Sequence, residues 1–343
     1  MRAPYRIGLL GLGHVGGALA RRLIEDGERV ASAAGRSIIL DAIAVARPEG
    51  RTAPASFVPA DALLKRPHLD AIVELIGGID PALTYICSAL QSGLEVITAN
   101  KQLIAARGPA LAQLGPLRFE ASVASAIPIV ETLAETLAAD RINSLMGILN
   151  GTTNSILDAM AAGADYADAL ADAQRRGLAE ADPSADVDAH DPAAKLAILG
   201  MLGFRRRIEP SQIERVGIRG LDQRQLVAAR ERGFVVKLIA AASMTGPGIE
   251  ADVRPRLIPD DAPLARVAGA MNAISVDAAY AGTLVLQGPG AGPDAAASAV
   301  LADLIRAARG TPASAGALLA SLADQPVATI TPLGLQTPFP AVP

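Results

Sequence analysis

The amino-acid sequence predicts an α/β protein whose first part is a parallel-sheet nucleotide domain and whose second part is an α+β domain. Up to about residue 140, short apolar runs alternate with segments of helical spacing. A glycine-rich turn, "GLGHVG", separates the first apolar run from the first helical segment. Beyond residue 140, several alternating apolar segments follow one another closely, which is typical of an antiparallel sheet.

The first part contains four candidate strands. From Arg6, "RIGLLGLGHVGGALARRLIEDGERVASAAGRS" reads as strand, glycine turn, amphipathic helix and second strand. "LDAIVELIGG" and "GLEVITANK" are two further short strands, and "DPALTYICSALQSG" between them has helical spacing. Strands that alternate with helices in this way favour a parallel sheet with helices on its faces.

The second part begins with "ADRINSLMGILNGTTNSILDAMAAG", an acidic loop and a long apolar helix from about Pro192. The segments "GFVVKLIAAAS", "IEADVRPRLI", "NAISVDA" and "GTLVLQGPG" then predict a mostly antiparallel sheet, and "PDAAASAVLADLIRAARG" predicts an amphipathic helix. We therefore expect a dinucleotide-binding domain over residues 1–140 plus 291–312, a second domain over 141–290, and a low-charge tail over 313–343.

Composition excludes several classes of function. The chain has 343 residues, of which 51% are hydrophobic and 19% charged, with a net charge of −4 and no basic stripe, so a nucleic-acid partner is not expected. The one cysteine, Cys87, lies in apolar context, which favours packing in a reducing compartment. Neither a secretory pattern nor a long apolar stretch is evident, and we expect a cytoplasmic protein without a membrane partner.

The glycine turn predicts a dinucleotide site. Gly11, Gly13 and Gly16 form G-x-G-x-x-G between a strand and a helix, the Rossmann-type arrangement that receives a pyrophosphate on helix amides. The alternative is a glycine turn without a ligand. The presumed end of the second strand reads "ASAAGRS", which has no acid for a ribose, so Arg36 favours a 2′-phosphate and hence NADP over NAD. His14 suits phosphate contact and plain packing equally well.

Two further motifs carry polar residues beside apolar strands. In "VITANKQLIA", Asn100 and Lys101 follow a strand, at the carboxyl edge where open α/β sheets bind ligands; the alternative is an exposed loop lysine. In "GILNGTTNSIL", the polar run from Asn150 to Asn154 suits a helix cap, donors to a substrate carboxylate, or both.

The segment "AEADPSADVDAHDPAAK" over residues 179–195 is rich in carboxylates. Asp191 before Pro192 fits a helix N-cap, but Asp191 and Lys195 are also four residues apart, so the carboxylate can hold the ammonium on one helix face. Glu180 and Asp186 precede them and could converge on the same place. Several carboxylates around a small site would bind a substrate ammonium, which suggests an amino acid. Neither zinc-type ligand spacing nor a serine–histidine–acid arrangement is evident.

Taken together, these segments resemble homoserine dehydrogenase over residues 5 to about 310. The motifs that carry the resemblance are "GLGHVGGAL", "VELIGG", "VITANKQLIA", "FEASVASAIPIVETL", "GILNGTTNSIL", "GLAEADPSADVDAHDPAAKLAIL" and "LQGPGAGPDAAASAVLADLI". The resemblance implies reversible NAD(P)-dependent oxidation of L-homoserine to L-aspartate 4-semialdehyde, on the route to threonine, methionine and isoleucine. It also implies a homodimer built through the second domain, which would then be a substrate-binding and dimerisation domain.

The resemblance also implies residue roles. Lys101 and Lys195 correspond to the catalytic pair, and Asp191 to the partner that orients Lys195. The residues expected to bind substrate are Glu180, Asp186, Thr152, Gly151 and Asn150. The positions expected to contact the cofactor, from the motifs and the resemblance together, are Gly11, Gly13, His14, Val15, Gly16, Arg36, Ile76, Gly77, Thr98, Ala99, Lys101 and Gly292. The ligands implied for a monovalent cation such as Na⁺ are Glu120 and the carbonyls of Val123, Ser125 and Ile127.

Three departures from the family pattern stand out. Ala124, Ser125 and Ala126 replace glycines after "EASV", and their Cβ atoms are expected to affect the turn and the cation site. Ala189 and His190 stand where glycine and an apolar or aromatic residue are usual. The residues after 310 are too few for a ligand-sensing domain, so feedback inhibition through one is not expected. The competing interpretations are another amino-acid dehydrogenase on this scaffold, of aspartate or diaminopimelate type, and a catalytically silent nucleotide-binding sensor.

Overall fold

The computed structural model describes residues 2–246 and 248–334. The chain divides into two compact units. Unit 1 holds the residues up to Thr136 together with Gly292–Gln325, and unit 2 holds Leu137–Ala291 together with the described residues after Gln325. Each unit has its own sheet.

The strands and helices of the described residues alternate through unit 1 and then cluster by type in unit 2. The strands are β1 (Tyr5–Leu10), β2 (Ile38–Ala44), β3 (Ser56–Phe57), β4 (Ala71–Glu74), β5 (Glu95–Thr98), β6 (Leu117–Arg118), β7 (Ile142–Ile148), β8 (Glu214–Arg215), β9 (Phe234–Thr245), β10 (Gly248–Pro259), β11 (Met271–Ala278), β12 (Gly282–Pro289) and β13 (Ile330–Thr331). The helices are α1 (His14–Glu25), α2 (Gly27–Ala34), α3 (Ala60–Leu64), α4 (Ala82–Gln91), α5 (Lys101–Ala112), α6 (Gly151–Ala161), α7 (Tyr166–Arg175), α8 (Ser184–Val187), α9 (His190–Phe204), α10 (Gln223–Glu231), α11 (Pro293–Arg309) and α12 (Ser314–Leu322).

Unit 1 is a Rossmann-type domain. Its six strands lie in the order β3-β2-β1-β4-β5-β6, and every pairing is parallel, as the sequence predicts. The strands are short and buried because helices cover both faces of the sheet. Ile7 and Leu9 of β1 pack with α1, α2 and α11 on one face, whereas Gly8 lies against Leu63 of α3 on the other.

The carboxyl ends of β1, β4 and β5 are neighbours, so the loops that follow these strands meet at one edge of the sheet. The glycine turn follows β1, the "LIGG" loop follows β4, and Asn100 follows β5. The first two loops are in close contact, since a Cβ at Gly11 would lie 2.7 Å from the Leu75 carbonyl oxygen. This edge is where the sequence places the dinucleotide.

One element differs from the sequence prediction. The run "ERVASAA" is not the second strand but the helix α2, which ends at Gly35 in the left-handed conformation, and the second strand begins only at Ile38. The alanines favour a helix, and a glycine at φ 75° is a common helix stop. Arg36 therefore precedes β2, at the edge opposite the nucleotide loops. Its guanidinium donates to the Ala308 carbonyl at 2.7 Å and lies 4.7 Å from the ring centre of Tyr5, so the predicted contact with a 2′-phosphate is wrong.

Unit 2 is the α+β domain that the sequence predicts. Its main sheet has the order β12-β11-β7-β9-β10-β13, with antiparallel pairing from β12 to β10. The short strands β13 and β8 both pair with β10 in parallel. The helices α6 and α9 pack on β9, and α9 also packs on β7. The sheet thus supports the two helices that carry the polar motifs.

The residues from 313 to 334, which the sequence sets apart as a tail, contribute to both units. Helix α12 packs on α5 in unit 1, and β13 pairs with β10 in unit 2. The rest of the predicted tail, residues 335–343, lies outside the described residues. Among the described residues, no helix is both long and apolar enough to cross a membrane.

Two adjacent glycines of α1 provide a test of the packing at the glycine turn. A Cβ at Gly16 would lie 2.4 Å from the Gly11 carbonyl oxygen, whereas a Cβ at Gly17 would have no heavy atom within 4 Å. We expect Gly16→Ala to lower stability by about 1–3 kcal/mol, as overpacking does. The matched Gly17→Ala should raise it by about 0.5–1 kcal/mol, because alanine is the better helix former.

Thermal or urea denaturation of both variants beside the parent measures these shifts. A Gly16→Ala protein as stable as Gly17→Ala would contradict the close approach of Gly16 to the Gly11 carbonyl.

Candidate active site

The glycine turn has the geometry of a phosphate-binding loop. Gly11 has φ 97°, a backbone conformation that residues with a side chain rarely adopt, and Gly16 leaves room for the Gly11 carbonyl. Gly13 precedes α1, and no side chain caps this helix. The first-turn amides, including those of His14 and Val15, therefore point away from the helix without a side-chain acceptor, which suits a pyrophosphate. A dinucleotide fits this turn.

A buried carboxylate shapes the neighbouring loop. Glu74 ends β4 and is fully buried. One of its carboxylate oxygens accepts the N–H groups of Ile76 and Gly77 at 2.7 and 3.0 Å, and the other accepts the Thr98 hydroxyl at 2.6 Å. Ile76, Gly77 and Thr98 are all predicted cofactor positions, and Glu74 fixes the main chain of the first two and the hydroxyl of Thr98. Glu74 is not among the predicted site residues, although an acid within the apolar run "AIVELIGG" is a usable signal.

Asn100 joins this loop to α5. Its amide Oδ1 accepts the Leu103 N–H at 3.2 Å and so caps α5, while its Nδ2 donates to the Gly78 carbonyl at 2.6 Å. Lys101 is then the first residue of α5, directly beyond β5, as the sequence predicts. Ala99 lies between them and the strand, and its carbonyl accepts the Lys101 N–H at 3.0 Å. The backbone that carries Lys101 is thus anchored at the nucleotide edge of the sheet.

The end of the second strand carries a different arginine from the one predicted. β2 ends at Ala44, and the exposed Arg47 follows three residues later. Arg51 continues the same loop, and its guanidinium donates to the Leu12 carbonyl of the glycine turn at 2.9 Å. The sequence pattern does not predict Arg47, because it places the end of the second strand within residues 31–37. The strand ends at Ala44, seven or more residues later. The apolar run "IILDAIA" is the signal that would have found it.

In unit 2, Asn150 brings two distant carboxylates together. It precedes α6, and its Oδ1 accepts the Thr153 N–H at 2.9 Å. Its Nδ2 donates to Asp186 at 2.6 Å and to Asp191 at 3.0 Å. An amide nitrogen carries two hydrogens, so one neutral side chain can serve both acids. The prediction that the "NGTTN" run caps a helix is confirmed, and the same residue also organises the acidic cluster.

Lys195 is held by the same cluster. Its Nζ donates to Asp191 at 2.8 Å and to the Leu149 carbonyl at 2.7 Å. Both side chains are buried, with 10% and 7% of Lys195 and Asp191 exposed. The predicted contact between residues four apart on one helix face is therefore confirmed. Because burial strengthens the interaction between opposite charges, the ammonium is fixed in place rather than free to rotate.

Helix α9 starts two residues earlier than predicted, so the expectation of Asp191 as N-cap is wrong. The cap position is Ala189, which lies at φ 64° and makes no side-chain cap. Asp191 falls in the first turn, where its carboxylate faces Asn150 and Lys195 instead of the helix amides. His190 is exposed.

The other predicted substrate residues differ in exposure and in their contacts. Thr152, in the first turn of α6, donates its hydroxyl to the Leu178 carbonyl at 2.7 Å. Gly151 begins α6, and a Cβ there would lie 2.5 Å from the Ala270 carbonyl oxygen. Glu180 is exposed on the loop after α7, and its carbonyl accepts the side-chain amide of Gln174 at 3.0 Å.

The implied cation ligands lie around a buried acid in unit 1. The two carboxylate oxygens of Glu120 accept the N–H groups of Val130 and Glu131 at 2.8 and 3.1 Å, and the Arg306 guanidinium lies 3.7 Å away. Burial raises the pKa of Glu120. Burial and the charge of Glu120 together raise the pKa of the nearby Asp303 to about 7.

The turn that would supply the carbonyl ligands keeps a left-handed shape without glycine. Ala124 and Ser125 have φ 53° and 49°, so their Cβ atoms strain the turn and do not abolish it. The Ile127 carbonyl accepts the Ile129 N–H at 2.8 Å, while Val123 is fully buried. No group of three or more His, Cys, Asp or Glu side chains with metal-binding geometry occurs among the described residues.

Gly292 lies at the cap of α11, in unit 1. It has φ 115°, and a Cβ there would meet nothing within 4 Å. Its conformation rather than crowding is therefore what requires glycine.

Comparisons with known proteins find relatives over most of the chain. The family model for homoserine dehydrogenase matches residues 128–305, and that for the homoserine dehydrogenase NAD-binding domain matches residues 11–116. Homoserine dehydrogenase from Corynebacterium glutamicum is 43% identical over 318 residues, which are 88% of this chain and 72% of that protein.

The chain belongs to the homoserine dehydrogenase family.

Two solved structures extend the likeness to the fold. A homoserine dehydrogenase from Thiobacillus denitrificans is 36% identical, with a TM-score of 0.89 over 96% of this chain and 80% of that one. A hyperthermophilic archaeal homoserine dehydrogenase in complex with NADPH is 27% identical, with a TM-score of 0.78 over 90% of this chain and 99% of that one. The resemblance seen in the sequence motifs is therefore confirmed at the level of the family, the fold and a nicotinamide-nucleotide domain.

Replacing Asn150 by aspartate tests whether its amide holds the acidic cluster of this family member together. Asn150→Asp converts the shared donor into a third carboxylate beside Asp186 and Asp191, so repulsion should separate them. We expect a loss of about 1–3 kcal/mol in stability, as when a buried hydrogen bond is broken, and a fall in the rate of homoserine oxidation.

Asn143→Asp is the matched control, because Asn143 of β7 also donates to a carboxylate, that of Asp277 at 3.1 Å. Denaturation curves and initial rates compare the two variants. Equal effects at both positions would rule out a special role for the Asn150 amide.

Proposed function

We propose that this chain catalyses the reversible NAD(P)-dependent oxidation of L-homoserine to L-aspartate 4-semialdehyde. The observation that carries the proposal is the buried Asp191–Lys195 pair, which Asn150 joins to Asp186 at the starts of α6 and α9. This arrangement combines a base for a hydroxyl proton with acids for an ammonium. Membership of the homoserine dehydrogenase family supports the same substrate.

Substrate recognition follows from the charges around this cluster. The α-ammonium of homoserine would lie against the carboxylate of Asp186, with the exposed Glu180 as a second acid. The start of α6, with the amides of Gly151 and Thr152, provides hydrogen-bond donors and a positive helix end for the α-carboxylate. A substrate that carries both groups on one carbon is an amino acid.

The proton that leaves the substrate hydroxyl passes to a lysine. We propose Lys195 Nζ, in its neutral amine form, as the acceptor that becomes an ammonium, since Asp191 and the Leu149 carbonyl fix its position. As the hydroxyl O–H bond breaks, its electron pair forms the C=O bond of the aldehyde. When bound, the nicotinamide supplies the acceptor for the hydride that leaves the same carbon. In the reverse direction the lysine returns the proton to the oxygen. Lys101 is the second candidate for this relay.

For the cofactor we propose NADP, with Arg47 in place of Arg36 as the residue that meets the 2′-phosphate. Arg47 is exposed directly beyond β2, the position from which a Rossmann-type domain contacts the adenosine ribose. The glycine turn, with the amides of His14 and Val15, would hold the pyrophosphate. The remaining proposed cofactor contacts are Ile76, Gly77, Thr98, Ala99, Lys101 and Gly292, with Gly292 beside the nicotinamide.

Two further features of the family interpretation are proposals. A monovalent cation such as Na⁺ at Glu120 and the carbonyls of Val123, Ser125 and Ile127 would offset the buried negative charge there. A homodimer through unit 2 is supported by β12, which lies at the edge of the sheet that the described residues form and leaves the side chain of Val285 43% exposed.

Removing the lysine amines tests the activity. We expect Lys195→Ala to lower kcat for homoserine by about 10²–10⁴-fold, the usual contribution of a general base. Lys101→Ala should also reduce kcat, whereas the control Lys65→Ala changes an exposed lysine after α3 and should retain the parent rate.

Absorbance of the reduced cofactor, with homoserine and either NADP⁺ or NAD⁺, measures all four proteins. If the parent shows no turnover with either cofactor, homoserine is not the substrate. A Lys195→Ala enzyme as fast as the parent would exclude Lys195 as the base.

The two arginines provide a paired test of cofactor choice. Arg47→Ser should weaken NADPH binding by about tenfold and leave NADH binding unchanged, because only NADPH carries the phosphate that a guanidinium recognises. Arg36→Ser should change neither affinity, since Arg36 contacts Ala308 and Tyr5. Fluorescence titrations of the parent and both variants with NADPH and NADH give the six dissociation constants. A loss of NADPH affinity in Arg36→Ser alone would show that Arg36, and not Arg47, contacts the 2′-phosphate.

A further inference from the structure

Lys237 is a buried lysine that the proposed chemistry does not use. It lies on β9 and is 2% exposed. Its ammonium donates three hydrogen bonds, to Asn154 Oδ1 at 2.8 Å, Asp158 Oδ1 at 2.7 Å and the Val267 carbonyl at 2.7 Å. These account for all three donors that a lysine has. The ammonium is thus held from three directions.

The residues that hold Lys237 also bind one loop. Asp158 accepts the Gly269 N–H through its second oxygen at 2.7 Å. Asn154 donates from Nδ2 to the Val267 carbonyl at 3.1 Å and to the Gly269 carbonyl at 2.8 Å. Asn154 and Asp158 are one turn apart on the same face of α6. Lys237 therefore fastens this face to the loop Val267–Ala270, here called the clamp loop.

The clamp loop touches the first residue of α6. A Cβ at Gly151 would lie 2.5 Å from the Ala270 carbonyl oxygen, so the backbone of α6 rests directly on the loop. Asn150, which joins Asp186 and Asp191, is the residue just before this contact. A displacement of the clamp loop would consequently move the amide that positions the acidic cluster.

The same loop touches the segment that leads to α11. The Ala270 carbonyl accepts the Gly290 N–H at 3.4 Å. Asn272, which is fully buried, lies so close to Gly290 that a Cβ there would come within 2.1 Å of its side chain. The clamp loop thus lies between the start of α6 and the "GPGAG" segment.

We propose that Lys237 is a positioning residue for homoserine oxidation, which acts through Asn154, Asp158 and the clamp loop to place the start of α6. The inference rests on the proposed function. A buried ammonium loses several kcal/mol of hydration, and an apolar side chain at this position of β9 would avoid that cost. What the charged network adds is a fixed geometry, because its hydrogen bonds are satisfied only in one arrangement of helix, strand and loop.

The test is Lys237→Met, which keeps most of the length of the side chain and removes the three donors. Kinetics are measured well below the melting temperature of each folded variant, together with NADPH dissociation constants. We expect kcat/KM for homoserine to fall by about 10–100-fold, the scale of a small misplacement of catalytic groups. NADPH affinity should remain within twofold, because the nucleotide binds unit 1.

Asp158→Asn is the second variant and carries the test if Lys237→Met does not fold, since it keeps the shape and removes the charge. It should show the same kinetic pattern to a smaller extent, and Lys65→Met should show none. A lowered melting temperature with unchanged kcat and KM would overturn the proposal, because it would make Lys237 a purely structural residue. An inactive parent enzyme would instead refute the proposed function, so the two failures are distinguishable.

Discussion

The side-chain amide of Asn150 is the interaction on which the polar half of unit 2 depends. It donates to Asp186 and Asp191 with one nitrogen and caps α6 with its oxygen. A cationic side chain here would neutralise the acids, and a third acid would repel them. A neutral amide instead keeps two carboxylates close together while leaving their charge for Lys195 and a substrate. The buried ion pair between Asp191 and Lys195 gains further hydrogen bonds from the Asn150 amide and to the Leu149 carbonyl, which offset part of its desolvation cost.

Backbone strain accompanies this arrangement. Ala189 adopts φ 64° immediately before α9, and Ala124 and Ser125 adopt similar values before the segment that binds Glu120. A non-glycine residue in this region costs about 1–2 kcal/mol, so the surrounding contacts must maintain each turn. At Ala189 the strained residue sets the start of α9 and hence the direction of Asp191. Glycine would adopt these conformations most easily, and this chain forms each turn with alanine or serine instead.

The nucleotide edge of unit 1 illustrates a different constraint. Parallel strands place the loops after β1, β4 and β5 side by side, and Glu74 then joins two of these loops through main-chain amides and the Thr98 hydroxyl. A fully buried carboxylate requires such donors, because it has lost its hydration. The cofactor edge is thus rigid for the same reason that the acidic cluster of unit 2 is rigid: each buried charge is held by several fixed hydrogen bonds.

The sequence by itself determined the alternation of strands and helices around the first, third and fourth predicted strands, the glycine turn, the position of Lys101 beyond β5 and the contact between Asp191 and Lys195. All of these are set by residues close together in the chain, through periodicity, turn chemistry and the four-residue spacing of a helix face. The sequence predicts a strand where α2 lies, because a short alanine-rich apolar run fits a strand or a helix. This error places the predicted 2′-phosphate contact at Arg36 instead of Arg47. Only the tertiary structure brought Asn150 to Asp186 and Asp191, 36 and 41 residues away, and Lys237 to Asn154, 83 residues away. These contacts depend on how helices pack on the sheet, a choice made by the burial of whole faces and not by any local pattern.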